Sequence, residues 1–183
     1  LEQRYVNRNP LLAAPSPIAS IAVEGGSGPV FRLSPPEPWR IVRTRLRIGG
    51  QVRGPIEHGG AVSGYFTSAT GITVYRGNSI PGSYGNLIVG DVASNLIHRK
   101  KLTPNGVTFR AARVENNCEL LASSDIWFRP VNFANGPDGA LYVCDMYREV
   151  VEHPWSLPDE IKSNLDLMSG SDRGRIWRIA GAN

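Results

Sequence analysis

The chain has 183 residues, of which 41% are hydrophobic and 20% charged, with a formal net charge of +4. That length allows one sizeable hydrophobic core. Its 20 glycines and 14 prolines favour a turn-rich β protein over a helical one. Neither an aromatic platform nor a recognition helix accompanies the longest basic run, residues 98–101, so we expect no nucleic-acid binding.

No apolar run approaches the ~18–20 residues that span a membrane, so no span is predicted in this segment. The sequence starts in mid-pattern, without an initiator Met or a signal peptide, which indicates a mature or proteolysed piece, or part of a longer protein. Cys118 and Cys144 form neither a Cys-x-x-Cys nor a haem-attachment motif. In an exported protein these two thiols can form a disulfide; the alternative for Cys144 is a buried free thiol.

The first third of the chain is predicted to be largely irregular. Residues 1–29 carry the Pro, Asn and Gly clusters of surface or linker segments. Residues 30–33 are predicted to form a short strand. The arginine-rich residues 39–46 alternate weakly and are predicted to be an edge strand whose charges deter further pairing. Residues 49–64 are glycine-rich and predicted to be a loop.

Two groups of β-prone runs follow. The first comprises residues 65–75, 87–91, 96–100 and 107–110, with turn residues between them, and predicts a small antiparallel meander. The second lies at residues 127–149, where apolar residues alternate on both sides of Asn135-Gly136-Pro137-Asp138-Gly139. This arrangement is typical of a strand, a tight turn and a second strand that ends at Asp145.

The second group repeats the first. Residues 85–91 align with residues 139–145, residues 96–99 align with 175–178, and residues 30–33 resemble the closing strand of an earlier unit. Four-stranded units that recur every 40–50 residues or so indicate a β-propeller, and the alternative is a β-sandwich with accidental self-similarity. The predicted units are 1–48, the end of a preceding blade with a linker, 49–112, a blade, and 113–183, a blade with an insertion at 146–174. A capping box at Ser156–Asp159 predicts a short helix in that insertion.

Two stretches carry a resemblance to a known family. The first comprises Pro55–Gly60, Gly64–Gly71 and Gly90–Arg99; the second comprises Phe128–Val131, Asp145–Glu149, Glu152–Pro158 and Asp172–Ile176. They resemble the propeller of the membrane-bound dehydrogenases also called PVC-type haem-binding proteins. These are relatives of the quinone-dependent glucose/sorbosone dehydrogenases. The resemblance covers nearly the whole chain.

The resemblance implies an all-β fold, with this chain forming the C-terminal blades of a six-bladed propeller in a periplasmic or secreted protein. It also implies a cytochrome c domain elsewhere in the protein, and no haem in this segment. The wider superfamily oxidises sugars with pyrroloquinoline quinone and calcium. Here Ala93 stands where quinone-binding relatives carry lysine. Of their two arginines, Arg129 matches one, and Val131 occupies the second position.

Alternate loops of a blade open on one face, so the polar loop residues are expected to gather at one mouth of the channel. There we predict catalytic residues, cofactor-binding residues and substrate-binding residues, and no metal ligand. The predicted catalytic residues are His153 and Glu149. The predicted cofactor-binding residues are Arg129, Arg148, Asp91 and Asn95, and the predicted substrate-binding residues are Asp145, Tyr147, Trp127 and His58. A neutral imidazole accepts a hydroxyl proton near pH 7, which makes His153 the candidate general base.

Structural roles are the alternatives for these residues. Asp91 and Asp145 can tie down loop backbone, and Arg129 can pair with Asp145 or Asp125. Trp127, Phe128 and Trp155 either stack on a sugar ring or pack the blade.

Two functions therefore stay open. One is a quinone-dependent dehydrogenase that oxidises sugars or polyols and passes electrons to a cytochrome c. The other is a non-catalytic propeller that binds carbohydrate or a protein partner and supports a haem domain. The expected partners are the remaining blades, the cytochrome and a small sugar or polyol.

Overall fold

A computed structural model describes residues 29–181. The helices are α1 (Pro38–Ile48) and α2 (Asp159–Lys162), with 3-10 turns at Glu57–Gly60 and Pro154–Ser156. The strands are β1 (Ala69–Val74), β2 (Leu87–Asp91), β3 (Leu96–Asn105), β4 (Thr108–Arg113), β5 (Leu121–Ala122), β6 (Pro130–Asn135), β7 (Leu141–Asp145) and β8 (Arg175–Ile179).

The strands form two antiparallel sheets. The first is a meander in the order β1-β2-β3-β4, and the short β5 also pairs with β3. The second has the order β6-β7-β8. The prediction of a mainly β chain with few helices is therefore confirmed, as is the predicted meander.

The sequence repeat is matched by the strand pairing. In the first sheet β1 begins with Ala69 opposite Asp91, and β3 begins with Leu96 opposite the same aspartate. In the second sheet Pro130 and Arg175 lie opposite Asp145 in the same way. The register is interrupted near the start of the first strand in both sheets, after Thr70 in the first sheet and after Pro130 in the second. The two sheets are thus built alike over their first three strands.

The main core lies between the two sheets. It consists of buried apolar side chains from both: Tyr75, Ile88, Ile97, Phe128, Phe133, Leu141 and Val143. The sheets approach closely where β1 and β2 meet β6, because Gly90 has no side chain. A Cβ atom on Gly90 would lie 2.7 Å from the carbonyl oxygen of Pro130. The Thr70 hydroxyl donates a 2.6 Å hydrogen bond to that same oxygen.

The prediction of an edge strand at residues 39–46 is wrong, because these residues lie in helix α1. Pro38 occupies the first turn, where its missing N–H costs nothing. Trp39 packs in a second core with Val150, Leu157 and Ile161 from the 146–174 insertion. The helix therefore anchors this insertion, and its arginines are drawn into contacts that the alternation pattern does not anticipate.

Smaller predictions are also corrected. Residues 30–33 form no strand; an isolated bridge joins Pro29 to Tyr65 instead. The β3–β4 turn falls at residues 106–107, later than the predicted 103–106. Helix α2 begins at Asp159 without a side-chain cap, and the Ser156 hydroxyl donates to Glu152, so the capping box is not formed.

Both cysteines are free and exposed, which excludes the disulfide in this structure and the buried thiol at Cys144. The irregular segment predicted at residues 1–29 lies, except for Pro29, outside the described residues. Between residues 29 and 181 no helix is both long and apolar enough to cross a membrane.

Strand β8 is the outer strand of the second sheet, and no strand within residues 29–181 pairs with its outer edge. Two of its apolar side chains are largely open to solvent: Ile176 is 69% exposed and Trp177 is 45% exposed. Trp177 also lines an apolar groove of about 430 Å³ together with Phe128 and Val143. An unpaired, apolar edge of this kind is normally covered by another strand.

Candidate functional site

The two repeated aspartates close the same end of the two sheets. The Asp91 carboxylate accepts hydrogen bonds from the backbone N–H groups of Thr67, Ser68 and Ala93 and from the Ser94 hydroxyl. Burial raises the pKa of Asp91 above its ordinary value, and these hydrogen bonds oppose the rise. All four bonds tie loop backbone or loop side chains to the strand end, which is the structural role set out as an alternative above.

Asp145 does the same in the second sheet. Its carboxylate accepts from the backbone N–H groups of Arg129 and Tyr147, at 2.8 and 2.9 Å, and from the indole N–H of Trp177 at 3.0 Å. The Arg175 guanidinium lies 3.8 Å away. Asp145 is 3% exposed, so its oxygens face the protein rather than a ligand.

Arg129 is a buried connector between the two sheets and helix α1. Its guanidinium donates to the carbonyl oxygens of Val92, Arg148 and Glu149, and its Nη1 lies 3.0 Å from the Glu37 carboxylate. A guanidinium has five N–H donors, and four of them are used in this way. Arg129 is 1% exposed. The ion pair is made with Glu37, and not with Asp145 or Asp125 as the sequence suggested.

Glu37 begins a buried charge network, which we define as Glu37, Arg40, Arg43, Arg129 and Glu152. Arg40 bonds to Glu37 at 3.0 Å, and both Arg40 and Arg43 lie within 3.5 Å of Glu152. Burial raises the pKa of Glu37, but attraction to Arg40, their hydrogen bond and attraction to Arg129 outweigh it, so the pKa lies below its ordinary value. Three guanidinium groups thus share two carboxylates.

Asn95 is also fully bonded. It adopts a positive φ of 56°, and its amide nitrogen donates to the carbonyl oxygens of Ile126 and Phe128. Its amide oxygen accepts from the Ser34 hydroxyl at 2.7 Å. Asn95 therefore joins the β2–β3 loop to the segment that precedes β6.

The remaining predicted site residues lie around this buried centre. The Arg148 guanidinium donates to the carbonyl oxygen of Met168, and Glu149 contributes its carbonyl to Arg129. Tyr147 has a positive φ of 49°, and its ring lies 3.6 Å from the Arg175 guanidinium and 5.5 Å from Trp127. These four residues, including Trp127, pack the 146–174 insertion against the sheet end.

The two predicted histidines make contacts of their own. His153 is exposed; its Nδ1 accepts a 3.2 Å hydrogen bond from the backbone N–H of Trp155 and so caps the turn Pro154–Ser156. His58 is exposed and stacks on Tyr65 with 3.6 Å between ring centroids. The structure thus brings Arg129, Asp145 and the carbonyls of residues 148 and 149 together beside Val92, while no described hydrogen bond joins His153 to them.

A surface groove lies next to the buried network. It has a volume of about 420 Å³ and runs between the segment that follows α1 and the start of α2. Its lining combines one aromatic side chain, two arginines, one carboxylate and apolar loop residues: Trp155, Arg47, Arg53, Glu160, Val52, Pro55, Leu157 and Pro158. Trp155 is 94% exposed, which is rare for so large an apolar side chain. We call this feature the Trp155 groove.

The sequence analysis missed Glu37 and the arginines of the groove. One feature of the sequence does indicate α1: Arg40, Arg43 and Arg47 stand three and four residues apart, which places them on one helical face, and Pro38 precedes them. The partner of Arg129 has no such local indication, because Glu37 is separated from it by 92 residues.

Three of the four predicted cofactor-binding residues, Arg129, Asp91 and Asn95, use their polar groups within the protein, and the fourth, Arg148, donates to the carbonyl oxygen of Met168. At the position where quinone-binding relatives carry lysine, Ala93 is buried and brings no charge. These residues therefore do not fit the quinone. Residues 29–181 also hold no group of three or more His, Cys, Asp or Glu side chains placed to bind a metal ion.

The chain is thus a mainly β protein with two similar antiparallel sheets. The buried charge network lies at the end of the sheets that carries Asp91 and Asp145. The chain belongs to the family described as a domain of unknown function, DUF7133, whose family model matches residues 1–183. Neither a curated protein nor a solved structure matches the chain.

Proposed function

We propose that this chain is a non-catalytic carbohydrate-binding part of a β-propeller, and that the sugar binds in the Trp155 groove. The observation that carries the proposal is the 94% exposure of the Trp155 side chain inside a concave surface. The flat, apolar face of an indole packs against the C–H face of a pyranose ring, and the polar groups beside it accept and donate hydrogen bonds. Arg53 and Glu160 supply such groups here.

The propeller part of the proposal rests on the repeat. Both sheets close their ends with an aspartate that accepts from the N–H of the residue before the first strand, Ser68 in one sheet and Arg129 in the other. Radial blades repeat their turns in this manner. The open edge of β8 supports further blades, in a six-bladed arrangement like that of the family it resembles. The same resemblance supports an exported protein with an attached or partnering cytochrome c.

The dehydrogenase is the competing function. It requires a base that faces a bound sugar and a bound quinone, with calcium, that accepts the electrons. Two of the predicted site residues are exposed, His153 and His58. The His58 ring stacks on Tyr65, and the Nδ1 of His153 accepts a hydrogen bond from the backbone N–H of Trp155. Binding without turnover is therefore the function that the bonding of these residues supports better.

Isothermal titration calorimetry of the full chain with a panel of neutral and charged oligosaccharides tests the proposal. We expect binding that is lost in Trp155→Ala and retained in Trp177→Ala, since Trp177 is exposed but lies on strand β8. Binding that survives Trp155→Ala, or no binding by the wild type, would contradict the proposal.

Dye reduction separates the two functions. The full chain is mixed with an aldose and an artificial electron acceptor, with and without added pyrroloquinoline quinone and calcium. The proposal predicts no reduction above the rate of the protein-free control in either condition. Quinone-dependent reduction that disappears in His153→Ala would establish the dehydrogenase instead.

A further inference from the structure

We infer that the Trp155 groove recognises carbohydrate that carries an anionic group, such as the carboxylate of a uronic acid or a sulfate ester; this inference rests on the proposed function. Two arginines line the groove against one carboxylate, Glu160. Arg53 is exposed and has no hydrogen-bond or ion-pair partner among residues 29–181. An exposed arginine that lines the same groove as an exposed aromatic ring is well suited to bind a planar carboxylate or a sulfate.

The second arginine is held in place by the backbone. Arg47 donates to the carbonyl oxygens of Pro55 and Ser156, at 3.3 and 3.1 Å, and so bridges the two walls of the groove. Its Nε is buried and has no partner within the described part of the chain. Gly54 makes this position possible, because a Cβ there would lie 2.3 Å from that nitrogen. Arg47 is thus a charge without a paired carboxylate in residues 29–181.

The surroundings do not cancel this charge. Arg47 also lines a small cleft of about 10 Å³ together with Arg40, Arg43 and Tyr65, and the buried Nε of Arg43 has no partner within residues 29–181. The cleft holds about one water molecule and is too small for an anionic substituent, which must therefore sit on the groove side. The buried network contributes one uncompensated positive charge, because three guanidinium groups share two carboxylates.

Glu57 is the remaining carboxylate of this cleft. It lines the cleft and accepts a 3.4 Å hydrogen bond from the Tyr65 hydroxyl. Counted together, the cleft, the network and the groove hold five guanidinium groups, Arg40, Arg43, Arg47, Arg53 and Arg129, and four carboxylates, Glu37, Glu57, Glu152 and Glu160. The excess is positive, and it is closest to the ligand at Arg53 and Arg47. Attraction over a few ångströms is only partly screened at physiological salt.

The test compares matched ligands on the full chain by titration calorimetry. One arm uses oligogalacturonate and its fully methyl-esterified, uncharged form; the other uses sulfated and unsulfated dextran oligosaccharides. We expect the charged member of at least one pair to bind more tightly, and the pair that shows this identifies the anionic group. Arg53→Gln should weaken the charged ligand about tenfold, the loss of one charge-assisted hydrogen bond, and leave its neutral partner unchanged.

Arg76→Gln is the matched control, because Arg76 is also exposed but follows β1 at the opposite end of the sheet, beside Asn135. It should bind like the wild type. Equal binding of charged and neutral ligands, or an unchanged affinity in Arg53→Gln, would overturn this inference while the carbohydrate function stands. A wild-type chain that binds no member of either pair overturns both.

Discussion

The Arg129→Met variant tests whether the sheet end is a structural centre. Methionine keeps much of the apolar stem but removes the guanidinium, which leaves the carbonyls of Val92, Arg148 and Glu149 without that donor and Glu37 with Arg40 alone. Breaking a buried ion pair by removal of one partner costs about 3–5 kcal/mol. For a chain of this size each kcal/mol lowers Tm by about 2–4 °C, so we expect a fall of roughly 6–20 °C.

Urea unfolding followed by circular dichroism measures this loss, with Arg148→Met as the control. The Arg148 guanidinium donates to one carbonyl oxygen, that of Met168, at an exposed position, so its loss should cost less than about 1 kcal/mol. A double-mutant cycle with Glu37→Gln should give a coupling energy above about 1 kcal/mol. A cost below about 1 kcal/mol for Arg129→Met, equal to the control, would refute the structural role and return Arg129 to the ligand-binding candidates.

Three further predictions concern pH, packing and the open edge. Burial raises the pKa of Glu119, but hydrogen bonds, of which the one with His98 is the strongest, lower it below the ordinary 4.5. The stability that Glu119 contributes is therefore present above pH 4.5 and is lost as the pH falls through the lowered pKa. Glu119→Gln should accordingly reduce the fall of Tm on the acid side of a Tm-against-pH profile. Gly90→Ala should lower the free energy of unfolding in urea by about 1–3 kcal/mol, because the new Cβ would lie 2.7 Å from the carbonyl oxygen of Pro130. Gly49→Ala should lower it less, because the nearest atom, the carbonyl oxygen of Arg45, is 3.4 Å from the Cβ position, and equal losses would contradict the close contact between the sheets. We expect the chain to self-associate through the open edge of β8 with rising concentration in sedimentation velocity, and Ile176→Lys to reduce this association; no association of the wild type, or unchanged association in the variant, would contradict this role of the edge.

The strands were predictable because their physics is local. The alternation of apolar residues correctly predicted β6 and β7 on either side of the Asn135–Gly139 turn. The repeat of residues 85–91 at 139–145 corresponds to equivalent strand pairs in the two sheets, since Asp91 and Asp145 each lie opposite the first residue of the next strand. The structural role of those aspartates was one of two open alternatives, and their backbone bonds now favour it. Patterns within a few residues of sequence were therefore enough to predict both that these segments are strands and where β2 and β7 end.

Helix α1 and the network were not predictable in the same way. Arginines on a helical face are ordinarily solvated, so Arg40 and Arg43 gave no reason to expect burial. They are buried in ion pairs with Glu37 and Glu152, and Glu152 comes from an insertion more than 100 residues away in sequence. Ion pairs between residues so far apart in sequence depend on the tertiary fold and cannot be predicted from a short segment of the sequence.

A crystal structure of the full chain with a bound anionic oligosaccharide tests the central claim most directly. We predict a sugar ring stacked on the indole of Trp155, with its carboxylate or sulfate within hydrogen-bond distance of the Arg53 guanidinium. A sugar bound instead at the strand ends, in direct contact with Asp91, Asp145 or Arg129, would contradict the account, because those groups would then serve a ligand rather than the fold.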